Sequence, residues 1–290
     1  MFRDRGWILD GGLATELERR GQDLDHPLWS ARCLIDARDA IVAVHRDYLR
    51  AGAEIVTTAT YQATRNGLMR AGLSGPDAEA CFTDAVALAR RAIALEGGTA
   101  LVAASAGSYG ATLADGSEYR GDYGLSVEAL VAFHRPRLMR LVGADLIACE
   151  TVPSLAEARA LAHCLSEFDT PSWISFSCGD EAHVNDGEPI EACAAALAEV
   201  PSIVGVGINC TPPRFVAPLL RRLRHATDLA VVAYANSGEG YDGRGWTGDG
   251  ATPEAYAALA TQWWEAGADV IGGCCRTTPA HIAALASLRP

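Results

Sequence analysis

The chain has 290 residues, 49% of them hydrophobic and 21% charged, with a formal net charge of −12. That length and apolar content suit one large α/β domain with a sizeable core. The acidic balance, with no Lys/Arg-rich tract, excludes long-range attraction to a phosphate backbone or an anionic membrane.

No run reaches the ~18 apolar residues of a membrane-spanning helix. The opening residues Met1-Phe2-Arg3-Asp4-Arg5-Gly6 lead into a short apolar run rather than a secretory leader. The expectation is a cytoplasmic protein whose partners are small molecules, with neither nucleic acid nor membrane among them.

In chain order, eight short apolar runs read as strands: Trp7 to Asp10, Glu54 to Thr58, Ala100 to Ser105, Leu146 to Glu150, Trp173 to Ser177, Val204 to Asn209, Ala230 to Tyr234 and Val270 to Gly273. Most are continuous rather than alternating, as parallel strands covered on both faces require. Helical signals follow nearly every one. Ser154-Leu155-Ala156-Glu157 reads as a capping box, with Leu155, Ala158, Leu161, Ala162 and Leu165 on one apolar face. Thr211-Pro212 and Thr278-Pro279 each place a capping residue before a proline at the first helical position. Ala-Gly-Ala at 51–53 and 266–268 and Val142-Gly143-Ala144-Asp145 each place a glycine where a helix ends before a strand.

Eight β-α units imply a (β/α)8 TIM barrel spanning residues 1–290 as a single domain. A doubly wound sheet is the alternative, but Asp10-Gly11-Gly12 makes no GxGxxG pattern and no GxxxxGK[ST] is present. Two polar, glycine-rich connections, 107–124 and 235–250 (the latter with Tyr241 and Trp246), fall after strands, on the face where barrels build active sites. Plain solvent-exposed loops would read the same way.

The strand ends gather acids, thiols and glycines: Asp10-Gly11-Gly12, Cys149-Glu150-Thr151, Asn209-Cys210, the region of Asn236, and Gly272-Gly273-Cys274-Cys275. Of nine cysteines, expected to be mostly reduced, Cys33, Cys81, Cys164 and Cys193 lie in helical Ala/Leu-rich surroundings and read as small buried hydrophobes. Cys210 and Cys274 are 64 positions apart, which is no zinc-finger spacing. Strands six and eight of a barrel can still bring them together. Three thiolates suit Zn²⁺ and leave its fourth position open, as in catalytic sites. The two glycines before Cys274 would permit a backbone distortion that aims both sulfurs inward. A vicinal disulfide or a pair of inert thiols remains the competing reading of Cys274-Cys275.

No His-x-His or His-x-x-x-His pattern occurs, which disfavours a histidine-ligated hydrolase; His134 and His281 read as packing or surface residues. No Gly-x-Ser-x-Gly elbow is present. Asp10 and Glu150 could form a glycosidase pair, cap helix ends, or bind an ammonium group. Beside three cysteines the last fits best, because a thiol amino acid brings both a sulfur and an ammonium. The amides around Gly11-Gly12 would then accept its carboxylate.

These residues resemble a known family. Leu9-Asp10-Gly11-Gly12-Leu13-Ala14-Thr15-Glu16-Leu17, Leu28-Trp29-Ser30-Ala31, Ala59-Thr60-Tyr61-Gln62-Ala63-Thr64, Ala114 to Tyr123, Cys149-Glu150-Thr151, Gly207-Ile208-Asn209-Cys210, Asn236-Ser237-Gly238-Glu239 and Gly272-Gly273-Cys274-Cys275-Arg276-Thr277-Thr278-Pro279 are similar to the homocysteine S-methyltransferases over almost the whole chain. The nearest resemblance is to enzymes that use S-methylmethionine or S-adenosylmethionine. It implies zinc at Cys210, Cys274 and Cys275, and Asp10 and Glu150 on the homocysteine ammonium, with Gly11 and Gly12 near its carboxylate. It also implies Thr58 in contact with homocysteine and Asn236 completing the metal shell when substrate is absent. The loop Asp115 to Tyr123 then borders the donor, and Trp29, Tyr61, Tyr119 and Tyr123 are candidates to face a sulfonium cation. The chemistry implied is methyl transfer to the homocysteine thiol, giving methionine. Within the family a betaine, methylfolate or selenocysteine specificity is the alternative; outside it, a dithiol redox protein or a zinc barrel without methyltransferase activity.

Overall fold

A computed structural model describes residues 1–2, 5–241 and 246–289, with the backbone alone at 240, 241 and 246. The strands are β1 (Trp7–Ile8), β2 (Ile55–Thr57), β3 (Leu101–Gly107), β4 (Leu146–Val152), β5 (Ser172–Phe176), β6 (Ile203–Asn209), β7 (Ala230–Ala235) and β8 (Val270–Gly273). All pair in parallel, in the order β1-β8-β7-β6-β5-β4-β3-β2. A parallel bridge between Leu9 and Ile55 joins the two ends of that order. Glu54 N–H donates to Ile8 O (2.7 Å) and Asp10 N–H to Ile55 O (3.0 Å) across the seam. The result is a (β/α)8 barrel, as the alternation of elements implies. Among the described residues no helix is long and apolar enough to cross a membrane.

The strands are continuous apolar runs because both faces are covered. Every residue of β4, β5 and β7 is buried. Inside the barrel, Leu9, Ile55, Ala103, Leu146, Ala148, Trp173, Val232 and Val270 form one cluster. Phe2 closes its floor at the N-terminal ends of the strands, packing edge-on against Trp7 and Trp173 with centroids 5.7 and 6.5 Å away. The larger cluster lies between the outer strand faces and the helices.

Helix ends follow the expected chemistry in most places. Gly52 and Gly267 adopt φ of +101° and +99°, just past helices ending at Arg50 and Glu265. Thr278 caps the helix Pro279–Ser287 in a box whose second member is His281. Three expectations fail. Thr211 does not cap; its hydroxyl donates to Asn209 O and accepts from Cys178 N–H, and the helix Pro213–Ala226 starts one residue later than expected. Gly143 is not left-handed, because the helix Val127–Leu138 ends earlier and the chain unwinds through turns. Ser154 caps the helix Leu155–Leu165, but the Glu157 carboxylate turns away to accept from Tyr109 N–H (2.5 Å) and to pair with the buried His134 (2.8 Å). His134 is therefore a buried polar partner rather than a packing residue.

Arg137, from the helix Val127–Leu138, is buried beneath the strand ends. Its guanidinium donates to Gly107 O, Thr60 O and Tyr61 O. Burial lowers its pKa to about 10. The fork thus ties the exits of β2 and β3 together just below the cavity. Arg137→Met is expected to lower unfolding stability by about 2–4 kcal/mol by removing a buried guanidinium's hydrogen bonds to three strand-end carbonyls. Urea titration checks this; Lys at the same place, a point charge without the planar fork, should restore only part of the loss.

Candidate active site

A cavity of about 770 Å³ opens at the C-terminal ends of the strands. Its wall contains Asp10, Gly11, Gly12, Trp29, Thr58, Tyr119, Glu150, Cys210, Cys274 and Cys275, so ten of the residues singled out from the sequence meet in one place. Asn236 is not on that wall: its Oδ1 accepts from Gly238 N–H at 3.0 Å, an Asx turn that shapes the β7 exit. Residues 242–245 of the second long loop, and the side chains of Tyr241 and Trp246, lie outside the described residues.

The three sulfurs lie within 4.8 Å of one another. Cys210 ends β6 and Cys274-Cys275 follow β8; their strands flank β7, and Cys210 N–H and Cys274 N–H donate to Tyr234 O and Ala235 O on it. Cys210 and Cys274 are joined as a disulfide, with Cys275 Sγ 3.7 Å from Cys210 Sγ. The pairing is thus across strands, not vicinal, and it is an exception to the expected reduced state; the other seven cysteines are free. A disulfide and metal ligation are alternative uses of the same sulfurs. Once reduced, this set offers three soft donors at one point, which fits Zn²⁺. Burial, then the charges of Glu118 and Glu150, push the Cys275 thiol up to about 12.

The glycines around the thiols act by close approach rather than by distortion. Gly272 and Gly273 do not adopt positive φ. A Cβ on Gly272 would fall 2.6 Å from Leu9 Cβ and one on Gly273 would strike Thr277. A Cβ on Gly12 would lie 2.7 Å from Cys274 O. The Gly12 N–H is already donated to Thr277 Oγ1 (3.1 Å), so that amide is engaged within the protein rather than offered to a carboxylate. The strained backbone lies elsewhere, at Cys210 and Thr151, with φ of +46° and +59°. At Thr151 the β4–β5 register shifts between Cys149 and Val152, next to Glu150.

Asp10 and Glu150 face this cavity and are almost wholly buried. Asp10 accepts from Thr57 N–H (2.7 Å) and Thr57 Oγ1 (3.1 Å). Glu150 accepts from the Ser105 hydroxyl and is hydrogen-bonded to Tyr234. Burial raises both carboxyls above the ordinary range, Asp10 strongly, and the nearby Glu150 adds to the effect on Asp10. Their hydrogen-bond partners are neutral, and a buried carboxylate that no cation contacts directly favours binding one.

Thr58 has little hydrogen-bonding capacity left. Its Oγ1 accepts from Ser105 N–H (3.0 Å). Thr60 Oγ1 gives its proton to Ser105 O (2.6 Å), so Thr58 must donate to Thr60 across their 2.7 Å contact. One lone pair remains, able to accept from an ammonium but not to donate to a carboxylate.

Several residues that sequence reasoning left without a role complete the site. Asn209 Oδ1 accepts from Thr151 N–H (2.7 Å) and Ser175 Oγ (2.9 Å). Its Nδ2 donates to Thr151 Oγ1 (2.7 Å) and lies 4.0 Å from Cys274 Sγ. One side chain thus braces the Glu150 turn and the thiols. Its place at a strand end, one residue before Cys210, was the available signal. Gln62 pins the loop 107–124 through Ala111 O (2.6 Å), and Glu118 reaches the cavity from that loop.

The homocysteine S-methyltransferase family profile matches residues 7–288. The homocysteine S-methyltransferase of Escherichia coli (strain K12) is 47% identical over 289 residues, covering 96% of this chain and 93% of that protein. That of Bacillus subtilis (strain 168) is 45% identical over 293 residues, covering 97% and 93%. The crystal structure of the Escherichia coli homocysteine methyltransferase MmuM in its metallated form superposes with a TM-score of 0.87 at 45% identity, over 98% of this chain and 96% of that one. The chain belongs to the homocysteine S-methyltransferase family.

Proposed function

We propose that this protein transfers a methyl group from a sulfonium donor, S-methylmethionine or S-adenosylmethionine, to the thiol of homocysteine. The observation that carries the reading is the meeting of three cysteine sulfurs with two buried carboxylates whose hydrogen-bond partners are all neutral, on one cavity wall. One cluster suits a substrate sulfur through a metal and the other suits an ammonium. An amino acid with a side-chain thiol presents both.

Reduced Cys210, Cys274 and Cys275 would hold zinc, whose chemistry when bound is to favour the thiolate form of a substrate thiol that is mostly protonated near neutral pH. Asp10 and Glu150 receive the substrate ammonium, and Thr58 offers its remaining lone pair beside them. These contacts orient the thiolate toward the donor. Asn209 keeps the Glu150 turn and Cys274 in register. The thiolate attacks the donor methyl carbon in line; the carbon–sulfur bond pair returns to the donor sulfur, and two neutral thioethers result with no proton moved. Loss of opposite charges is favoured where water is excluded.

With reductant present, the protein is expected to bind one zinc and to form methionine from homocysteine and a sulfonium donor. Cys210→Ser or Cys274→Ser should lose metal and activity together. Assaying methionine with each donor in turn, beside metal analysis, checks both; full turnover by metal-free protein would refute the zinc assignment.

The carboxylates give a second expectation. Methionine carries the same ammonium but no thiol, so the pH dependence of its binding reports on Asp10 and Glu150 without a titrating substrate sulfur. Both folded-state carboxyls titrate above the ordinary range, and only their ionised forms attract the ammonium. Methionine affinity should therefore rise with pH through that elevated range and then level off. Asp10→Asn should weaken binding about tenfold or more at the plateau. Calorimetric titration across pH tests this; an affinity flat from pH 4.5 to 8 would contradict it.

A further inference from the structure

Glu118 is the one acidic side chain that the donor-side loop sends into the cavity beside the thiols. It belongs to a short turn, Ser117–Tyr119, whose backbone is held tightly. Ser177 Oγ donates to Glu118 O (2.9 Å), and Asn185 Nδ2 steadies that serine at 2.8 Å. Gly110 packs directly beneath, where a Cβ would come 2.5 Å from Glu118 N. The carboxylate is thus placed by the fold. Its Oε2 is buried and makes no hydrogen bond. Burial raises the Glu118 carboxyl above the ordinary range.

Its surroundings indicate what the carboxylate is for. Glu118, Tyr61 and Cys275 line one cavity. Tyr61 in turn packs edge-on against Trp29, with centroids 5.9 Å apart. Trp29, Tyr61 and Glu118 all line the cavity. A carboxylate with one buried oxygen left without a hydrogen bond, in a cavity lined by aromatic rings, suits an organic cation. A hydroxyl or amide ligand would not need the charge, and a second anion would be repelled by it.

We propose that Glu118, with the rings of Trp29 and Tyr61, forms the subsite for the positive sulfur of the methyl donor, and so selects permanently cationic sulfonium donors over neutral ones. This rests on the methyl-transfer reading above. The sulfonium sulfur, rather than a donor ammonium, is the group assigned because Glu118 lines the same cavity as the thiols. The methyl carbon must reach the substrate sulfur at that cluster, so its own sulfur lies only one bond farther away. Transfer converts the sulfonium to a neutral thioether, and Glu118 then loses its partner, which favours release of the spent donor. Because the charge is fullest before transfer, the interaction belongs to donor binding rather than to the transition state.

The test compares S-methylmethionine with homoleucine, in which an uncharged CH replaces the sulfonium sulfur while the ammonium and carboxylate are kept. At saturating homocysteine, S-methylmethionine serves as substrate and homoleucine as inhibitor competitive with it. Wild type should prefer the sulfonium by about tenfold or more. In Glu118→Gln the donor KM should rise at least about tenfold, kcat should change less than about threefold, and the preference should collapse towards unity. Bound zinc and the homocysteine KM should stay as in wild type, and Glu118→Asp, which keeps the charge, should retain the preference. If Glu118→Gln weakens both ligands equally, Glu118 serves the donor ammonium and the proposal is overturned; an unchanged donor KM overturns it as well. If wild type turns over no sulfonium donor at all, the donor reading itself fails, an outcome separate from either of these.

Discussion

Negative charge gathered on the wall of one cavity is the constraint on which this site depends. Asp10 and Glu150 are buried with only neutral hydrogen-bond donors, half-buried Glu118 has one buried oxygen without a hydrogen bond, and three cysteine sulfurs converge on the same cavity. Anions held in low dielectric repel one another and are costly to leave uncompensated. The raised carboxyl titrations express that cost. Arg137 is the nearby buried cation, but its donors are spent on the strand-end carbonyls of Gly107, Thr60 and Tyr61. Compensation for the cavity therefore has to arrive with ligands.

Three cations suit three positions. A divalent metal suits the thiols, an ammonium suits Asp10 and Glu150, and a sulfonium suits Glu118 with its aromatic neighbours. The first two would stay charged throughout the reaction and the third would be consumed by it. A cavity built this way binds the reactants together and loses its hold on one of them as the methyl moves. The mildly acidic surface adds little to this: the selecting charges are local, buried and held by hydrogen bonds.

Much of the barrel was legible in the sequence because parallel strands covered on both faces must be continuously apolar. All eight runs, from Trp7 to Gly273, became strands. The convergence of Cys210 with Cys274-Cys275 followed from the same ordering, since β6 and β8 both flank β7. What stayed illegible was side-chain direction and hydrogen-bond accounting. Glu157 sits where a capping box puts its acid, yet tertiary contacts with Tyr109 and His134 outcompete the local cap. Gly272 and Gly273 read as sources of backbone freedom but serve close packing against Leu9 and Thr277. Asn209 and Glu118 carry no motif; each acquires meaning only when residues far away in sequence meet it.

The distribution of strain separates the two ends of the barrel. Among the described residues, the non-glycine positions with left-handed backbone are Trp29, Ala114, Thr151, Cys210 and Arg276. The first four line the cavity and the fifth follows Cys275. Each such conformation costs on the order of 1–3 kcal/mol and persists only where the surroundings over-determine it. Here Asn209 holds Thr151, the Tyr234 carbonyl holds Cys210, and Thr15 Oγ1 holds the Arg276 N–H at 2.9 Å while Glu239 pairs with its guanidinium at 2.6 Å. The opposite end carries no such burden: Phe2, Trp7 and Trp173 fill the floor with apolar contact. Stability is therefore concentrated at the floor and in the helical shell. The rim can then keep both its strained turns and its uncompensated anions, and ligand binding relieves the second of these two costs.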